Sequence, residues 1–328
     1  MTISQHKGGQ GDLSGKLVVL VGGSGFFGAH VAQELLSRGA RLRVVCRTPK
    51  KAFRLKPLAN LGQIQFVRAD LTDGAVLPSL VAGADGVVNL VGAFKGDLDA
   101  LHVHAPAALA KAAKEAGVSA FVQISALGCD AESEVDYART KAEGEEAVRA
   151  AFPKATVLRP SILFGQDDNF ITMFARLISR LPVLPVFGPE AKLQPVFVDD
   201  AAQALGNALA DAGKHGGKTY DVAGPEVITM GEINRRIAAA QGRTPLFADL
   251  PDALSGAIAT GTGWLPGAPI SSDQWKLLKA GNVAGKGPGM KELGVTVRPL
   301  SLFLDRWMVA YRKHGRFGTK ARAQAVNS

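Results

Sequence analysis

The sequence predicts a doubly wound α/β protein, a parallel sheet covered by helices on both faces, with a smaller C-terminal α/β appendage. Three observations lead there. The first 160 residues repeat one rhythm: a short β-branched run, a glycine or polar turn, then a longer segment with apolar residues at helical spacing. The strand-like runs are too apolar to alternate, as expected where both faces of a sheet are buried. The 328 residues exceed one ordinary compact domain, and 47% apolar against 20% charged residues supplies a core and excludes a disordered chain.

Taken in order, strands are expected at Leu17–Val21, Leu42–Cys46, Ile64–Arg68, Gly86–Val91, Ala120–Ser125 and Thr156–Leu158. Helices fit between them at Phe26–Ser37, Asp99–Ala116 and Tyr137–Ala151, with Gly39 and Gly117 where a glycine ends a helix. Beyond Pro160 the rhythm breaks at Pro182, Pro185, Pro189 and Pro195. Strands at Pro195–Val198 and Thr219–Val222 and helices at Asp199–Asp211, Thr229–Ala240, Ser271–Ala280 and Ser301–His314 read as the appendage, and Gly281–Gly289 as a loop. Asp199 and Asp200 are expected to start their helix, one of them as its N-cap.

The net charge of +9 is local. Arg306, Arg312, Lys313, Arg316, Lys320 and Arg322 follow Asp305 with no further acid, so the chain has a basic tail rather than a basic body. Such a tail suits an anionic membrane surface or an acidic protein; without a groove-reading motif, nucleic acid is not an expected partner. Residues 1–14 are polar and lack the apolar core of an export signal. Cys46 and Cys129 are too few for a disulfide framework or a four-ligand zinc site, and the six histidines form no HxxxH or HExxH pattern. A cytoplasmic protein without a metal is expected. The uncharged stretch Ala253–Ser272 is broken by glycines and prolines, so a buried helix and loop is expected there, with Leu254, Ile258, Trp264 and Leu265 available to an interface or a ligand.

The strongest motif follows the first strand: Gly22-Gly23-Ser24-Gly25-Phe26-Phe27-Gly28, then a helix. Glycines at 22, 25 and 28 permit a sharp turn, a close backbone approach to a pyrophosphate, and tight helix–sheet packing. Amides at the helix start would then face the diphosphate. An NAD-selective site places a carboxylate at the end of the second strand, whereas this strand runs into Arg47, Lys50 and Lys51. Arg47 can stack on adenine and pair with a 2′-phosphate, which favours NADP(H) over NAD(H). Asp70 and Leu71 are expected near the adenine, and Asn89 to Gly92 at the cofactor end of the fourth strand. Tyr137 and Lys141 form a YxxxK pair sharing one helical face, where the ammonium is expected to lower the phenol pKa and to hold the nicotinamide ribose. This divides the chain into a flexible 1–14, a dinucleotide-binding Rossmann domain at 15–160, a substrate- or partner-facing region at 161–314 interleaved with the core, and a tail at 315–328.

Together these motifs resemble the short-chain dehydrogenase/reductase superfamily in its extended and atypical, NAD-dependent epimerase/dehydratase-like branches. Leu158-Arg159-Pro160-Ser161-Ile162-Leu163-Phe164-Gly165, Asp167-Asp168-Asn169-Phe170, Gln194-Pro195-Val196-Phe197-Val198-Asp199-Asp200 and Ser272-Asp273-Gln274-Trp275-Lys276 are similar, more narrowly, to the NADPH-binding accessory subunits of respiratory complex I and their bacterial relatives. The same branch resembles a reductase-like protein linked to ubiquinone biosynthesis.

The resemblance implies catalytic roles for Tyr137, Lys141 and a serine after the fifth strand, and a cofactor contact at Pro160. The alignment sets the serine position on Ala126, with Ser125 one residue early; Ser125 serves only if the strand end bulges. His102 stands where extended members carry Asn, and a surface histidine is expected; His104 carries no motif. Cys46 reads as a small buried hydrophobe, and Cys129 lies near the nicotinamide pocket without an activating neighbour. Ser161, Phe164, Asn169, Phe170 and Gln194 are implied pocket-lining residues. Two functions compete: an NADP(H)-binding protein whose cofactor is structural, docked on a respiratory complex or peripherally on the cytoplasmic face of the inner membrane, or an active reductase, dehydrogenase or epimerase using Tyr137 and Lys141.

Overall fold

The computed structural model describes residues 11–262, 270–313 and 315. Two compact units are present. The first is built from the chain up to Pro160 with Val198–Val222 and Ala284–Thr296, the second from Ser161–Phe197, Ala223–Val283 and the chain from Val297 onward.

In the first unit, β1 (Leu17–Val21), β2 (Arg41–Cys46), β3 (Ile64–Arg68), β4 (Gly86–Asn89), β5 (Ala120–Ile124), β6 (Thr156–Pro160) and a seventh strand, Thr219–Val222, form one parallel sheet. The order is seventh strand, β6, β5, β4, β1, β2, β3. The reversal between β4 and β1 opens a crevice at the carboxyl ends of those strands, the usual ligand position in a doubly wound sheet. Both faces are covered, which is why the strands carry almost no polar alternation. On one face Val19, Val21, Val87 and Phe121 pack with helices α2 (Leu77–Val81), α3 (Ala105–Glu115) and α4 (Asp136–Ala151) through Leu80, Leu109 and Val148. The other face carries α1 (Phe26–Ser37) packed against the helix Val198–Ala210.

The helix expected at Asp99–Ala116 opens instead with a π turn, Ala100–His104, before α3 begins. The wider turn brings the His102 carbonyl against Gly144 of α4 so closely that a Cβ there would overlap the oxygen. Arg139 adds a brace between the same elements, donating to Asp99, Asp136 and Glu143. The helix bearing Asp199 and Asp200 starts at Val198, so both acids lie inside its first turn and neither is its N-cap; there they still favour the positive end of the helix dipole. Asp199 Oδ1 meets His30 Nδ1 of α1 at 2.5 Å.

The second unit is built from short paired strands, Val183–Phe187 with Leu246–Leu250 and Leu163–Phe164 with Val196–Phe197, and from helices including Ile171–Arg180 and Met230–Gln241. Phe164, Phe197, Phe303 and Trp307 form an aromatic cluster, with the Arg298 guanidinium 4.4 Å from the Phe197 ring centre. The helix expected at Ser301–His314 ends at Trp307 and continues as a 3₁₀ turn over Met308–Tyr311; His314 lies outside the described residues. The Ala253–Ser272 stretch contributes to a helix, Asp252–Thr262, with Leu254 exposed, while Trp264 and Leu265 lie outside the described residues. Among the described residues no helix is long and apolar enough to cross a membrane.

Gly144→Ala gains helix propensity but forces a methyl into the His102 carbonyl. We expect a net loss of about 1–3 kcal/mol, the usual cost of overpacking a buried contact, read as a lower urea midpoint.

Candidate functional site

The glycine turn is formed by close backbone contact. Gly22 has φ +80, and its N–H donates to Val45 O at 3.1 Å, carrying the chain off β1 towards β2. A Cβ on Gly28 would stand 2.6 Å from Gly22 O and from Gly23 Cα, so only glycine allows α1 to begin this close to the turn. The first turn of α1 contains no acid and receives no side-chain cap from Gly25, leaving the amides around Phe26, Phe27 and Gly28 for an anion. The cradle therefore fits a dinucleotide diphosphate.

The basic residues lie beside it. Arg47 is exposed immediately after β2, and its charge helps to hold the Asp70 carboxyl below its usual range, after the larger effect of hydrogen bonds from the Thr72 amide and hydroxyl. Arg54, on the 3₁₀ stretch Pro49–Leu58, reaches back to donate to Gly25 O at 2.7 Å and Ser24 O at 3.3 Å. Sequence reasoning missed Arg54, because nothing in its spacing indicates that a 3₁₀ turn aims it at the glycine loop. Cys46 is buried and its thiol is pushed up by desolvation, as suits a small buried hydrophobe. Leu71 is buried in the core facing α2 and α3. Asn89 is fully buried, its amide donating to Gln123 Oε1 at 2.9 Å and its Oδ1 accepting from Val91 N at 3.2 Å, so its polar atoms shape the end of β4. Gly92 is exposed, 3.5 Å being the gap a Cβ there would leave to Lys141 Nζ. Pro160 closes β6, and its carbonyl accepts from Leu127 N.

Lys141 is buried, donating to Val91 O at 2.8 Å and Ile124 O at 3.3 Å, and burial pushes its pKa down to about 8. Its ammonium thus ties the ends of β4 and β5 together. The expected lowering of the Tyr137 pKa does not occur: desolvation, followed by the neighbouring Cys129, pushes it up to about 12. Two rings pack on the phenol. Phe94 stacks on the phenol with ring centres 4.3 Å apart and planes at 15°, and His102 meets it edge-on at 5.6 Å.

His102 is not a surface residue; it is 1% exposed. Its Nε2 accepts from Ala93 N–H at 3.1 Å, and its Nδ1 lies 2.9 Å from Thr140 Oγ1, whose own proton goes to Asp136 O. Only a neutral ring protonated on Nδ1 satisfies both contacts. Burial, then the nearby Lys141 charge, holds its pKa down at about 4.

Ser125 pairs through its amide with Leu158 O at 2.8 Å, in continuation of β5. Its buried Oγ lies near the Glu145 carboxylate and the Cys129 thiol, favouring their charged forms, in hydrogen-bonding geometry with neither. Glu145 is a second residue that sequence reasoning missed. It is 4% exposed, takes both ends of the Arg159 guanidinium at 2.8 and 2.7 Å and accepts from Cys129 Sγ at 3.0 Å. Burial alone would raise its pKa; hydrogen bonds led by Arg159 outweigh that and hold it low. Cys129 is pushed up to about 11 by burial and by this carboxylate, so it is no activated thiolate.

Of the implied lining residues in the second unit, Phe164 is fully buried inside the aromatic cluster. Ser161 Oγ donates to Asn282 Oδ1 at 2.5 Å, and Gln194 Nε2 to Gly224 O at 2.7 Å. Phe170 meets Phe174 edge-on, and Asn169 is exposed.

Known proteins resemble this chain in sequence and in fold. The NAD(P)H-binding family matches residues 22–176, and the RmlD substrate binding domain matches 131–255. The rat protein named NADH dehydrogenase (ubiquinone) 1 alpha subcomplex subunit 9, mitochondrial, is 30% identical over 309 residues, 92% of this chain and 81% of the relative. The chain belongs to the family of this complex I subunit. The Arabidopsis thaliana family member of the same name is 33% identical over 77% of this chain, which spans 64% of that relative's length. A Caulobacter vibrioides ceramide reductase is 30% identical over 72% of this chain and 74% of its own. The fold matches the Citrobacter triphenylmethane reductase complexed with NADP(H), with a TM-score of 0.72, 19% identity and coverage of 89% of this chain and 99% of that one. This family membership supports NAD(P) binding in a short-chain dehydrogenase/reductase fold.

The neutral His102 sets one pH response. Its folded pKa of about 4 lies below the ordinary 6.5, so the unfolded chain binds the proton first; the contribution is complete above pH 6.5 and falls as pH drops towards 4. Between pH 7 and 5 the wild type should lose about 2 kcal/mol more than His102→Gln, measured by urea unfolding at both pH values.

Proposed function

We propose that the chain binds NADP(H) in preference to NAD(H) and retains it as a structural component of a protein that docks on a respiratory assembly or an anionic membrane surface. The observation that carries this reading is the glycine cradle bordered by Arg47 and Arg54 with no carboxylate at the end of β2. A guanidinium directly after β2, with a second held against the glycine loop, suits a 2′-phosphate, which Arg47 can engage through paired donors. The complex I names of the rat and Arabidopsis relatives support the docking part, and the basic tail supplies a charge for it. Ser125, buried towards Glu145, supports retention over turnover, since a carbonyl substrate would lack its usual hydroxyl partner.

A second reading is an active reductase, dehydrogenase or epimerase, including one linked to quinone biosynthesis. The intact Tyr137–Lys141 pair favours it, as does the reductase name of the Caulobacter relative. In that case the dinucleotide would supply the hydride. Tyr137 would donate the phenolic proton, Lys141 would hold the ribose, and Ser125 would have to turn towards the substrate oxygen.

Denaturing the purified protein and identifying the released nucleotide by mass spectrometry tests the proposal. We expect NADP(H), retained and not consumed when menadione is added; NADPH oxidation that disappears in Tyr137→Phe would instead establish the second reading. Arg47→Ala and Arg54→Ala should each weaken NADPH binding by about tenfold to hundredfold, the range for one lost charged hydrogen bond, with NADH affinity nearly unchanged by calorimetry. Absence of any pyridine nucleotide binding overturns both readings.

A further inference from the structure

We infer that Phe94, positioned by His102, is the residue that decides whether Tyr137 is open to reagents and substrates, acting as an aromatic cap fixed to the phenol. The inference rests on the nucleotide-retaining reading above and deepens it by naming what keeps the tyrosine idle. Three anchors fix the segment between β4 and the π turn. Asn89 Oδ1 accepts from Val91 N, Lys141 Nζ donates to Val91 O, and His102 Nε2 accepts from Ala93 N. Phe94 is the next residue. It remains 59% exposed, and its face is spent on Tyr137, with ring centres 4.3 Å apart. At that spacing no other planar group fits between the rings, so anything that approaches the phenol from that face must first displace Phe94.

His102 joins this segment to the tyrosine's own helix. One ring nitrogen holds Ala93 and the other holds Thr140, three residues after Tyr137, while the ring edge faces the phenol. The π turn supplies the outward step that lets one side chain reach both. A residue in this position acts through Phe94 and Tyr137 and is a positioning residue. The titratable group that acts on the phenol is Cys129, from the segment after β5, which lies outside the cap, while Lys141, on the tyrosine's own helix, anchors the cap segment at Val91 O.

Timed O-acetylation of the purified, nucleotide-loaded protein with N-acetylimidazole, mapped to Tyr137 by peptide mass spectrometry, tests this. Wild-type Tyr137 should react slowly. Phe94→Ala should raise its rate about tenfold or more, since each unit by which the phenol pKa of about 12 falls multiplies the phenolate tenfold. Phe94→Trp, which keeps a stacking ring, should stay near wild type. His102→Ala should release the cap as Phe94→Ala does, and His102→Gln, whose amide oxygen can accept from Ala93, should restore part of the protection. Equal rates in wild type and Phe94→Ala overturn the inference, as does full protection in His102→Ala. Phe94 is mostly exposed, so its truncation tests the cap even if His102→Ala fails to fold. Nucleotide retention is measured on the same samples: its loss in wild type counts against the proposed function alone, whereas unchanged acetylation counts against the cap alone.

Discussion

A backbone can hold a diphosphate by its own amides only where no side chain separates turn, strand and helix, and here that constraint falls on Gly28. With no Cβ, α1 starts in contact with Gly22 O and Gly23 Cα, and its uncapped first turn points its amides at the crevice beside β1. The sheet order supplies the rest of the geometry. Since β4 and β2 both flank β1, the glycine turn, Arg47 and the Asn89–Gly92 segment converge at one end of the sheet. Charge selection is then a local matter of which residue follows β2. The residue there is a guanidinium, and Arg54 on the next turn holds a second one against the carbonyls of the glycine loop; this is the charge on which the proposed choice of NADP(H) rests.

The helix that bears Tyr137 and Lys141 is held from three sides by groups that would be costly to bury alone. Glu145 takes the Arg159 guanidinium from β6, Thr140 receives His102 from the π turn, and Lys141 caps the carbonyls at the ends of β4 and β5. Removing one member of such a buried set leaves its partner without compensation, so these groups specify where the helix sits more than they add to stability. Gly144 completes the arrangement sterically, by allowing the π turn to touch α4.

The parallel sheet was legible because burial on both faces leaves a simple trace, a run of Val, Leu and Ile with no polar alternation. The glycine spacing was legible because the backbone requires it. The seventh strand, Thr219–Val222, was recognisable as a strand, yet nothing local assigns it to the edge beside β6 across an intervening sixty residues or so. His102 was misread as a surface residue because a single histidine in a helix carries no sign of burial; the π turn that buries it changes the ring size of the backbone hydrogen bonds and leaves the residue types ordinary. Arg54 and Glu145 escaped for the same reason. Their partners are a carbonyl and a guanidinium brought close by tertiary structure, with no motif of fixed spacing between them. At Tyr137 the i, i+4 spacing shows the lysine but not the burial of the phenol, and burial dominates there.

The two shifts at the YxxxK pair bear on what the site is for. A tyrosine acting as acid or base near neutral pH needs its pKa brought down towards the working range, and a permanently charged lysine beside it is the usual means. Here the neutral form of each partner is favoured: Lys141 is pushed down to about 8 and Tyr137 up to about 12. Both shifts have burial as their leading cause, and the lysine protons are directed at backbone carbonyls that fix the strand ends. In this arrangement the lysine anchors the loop that leads to Phe94 through Val91 O, and the phenol packs beneath the Phe94 ring. Acid–base work at Tyr137 needs more than the pair itself, since the Phe94 ring stands on the phenol and the Ser125 hydroxyl is buried towards Glu145.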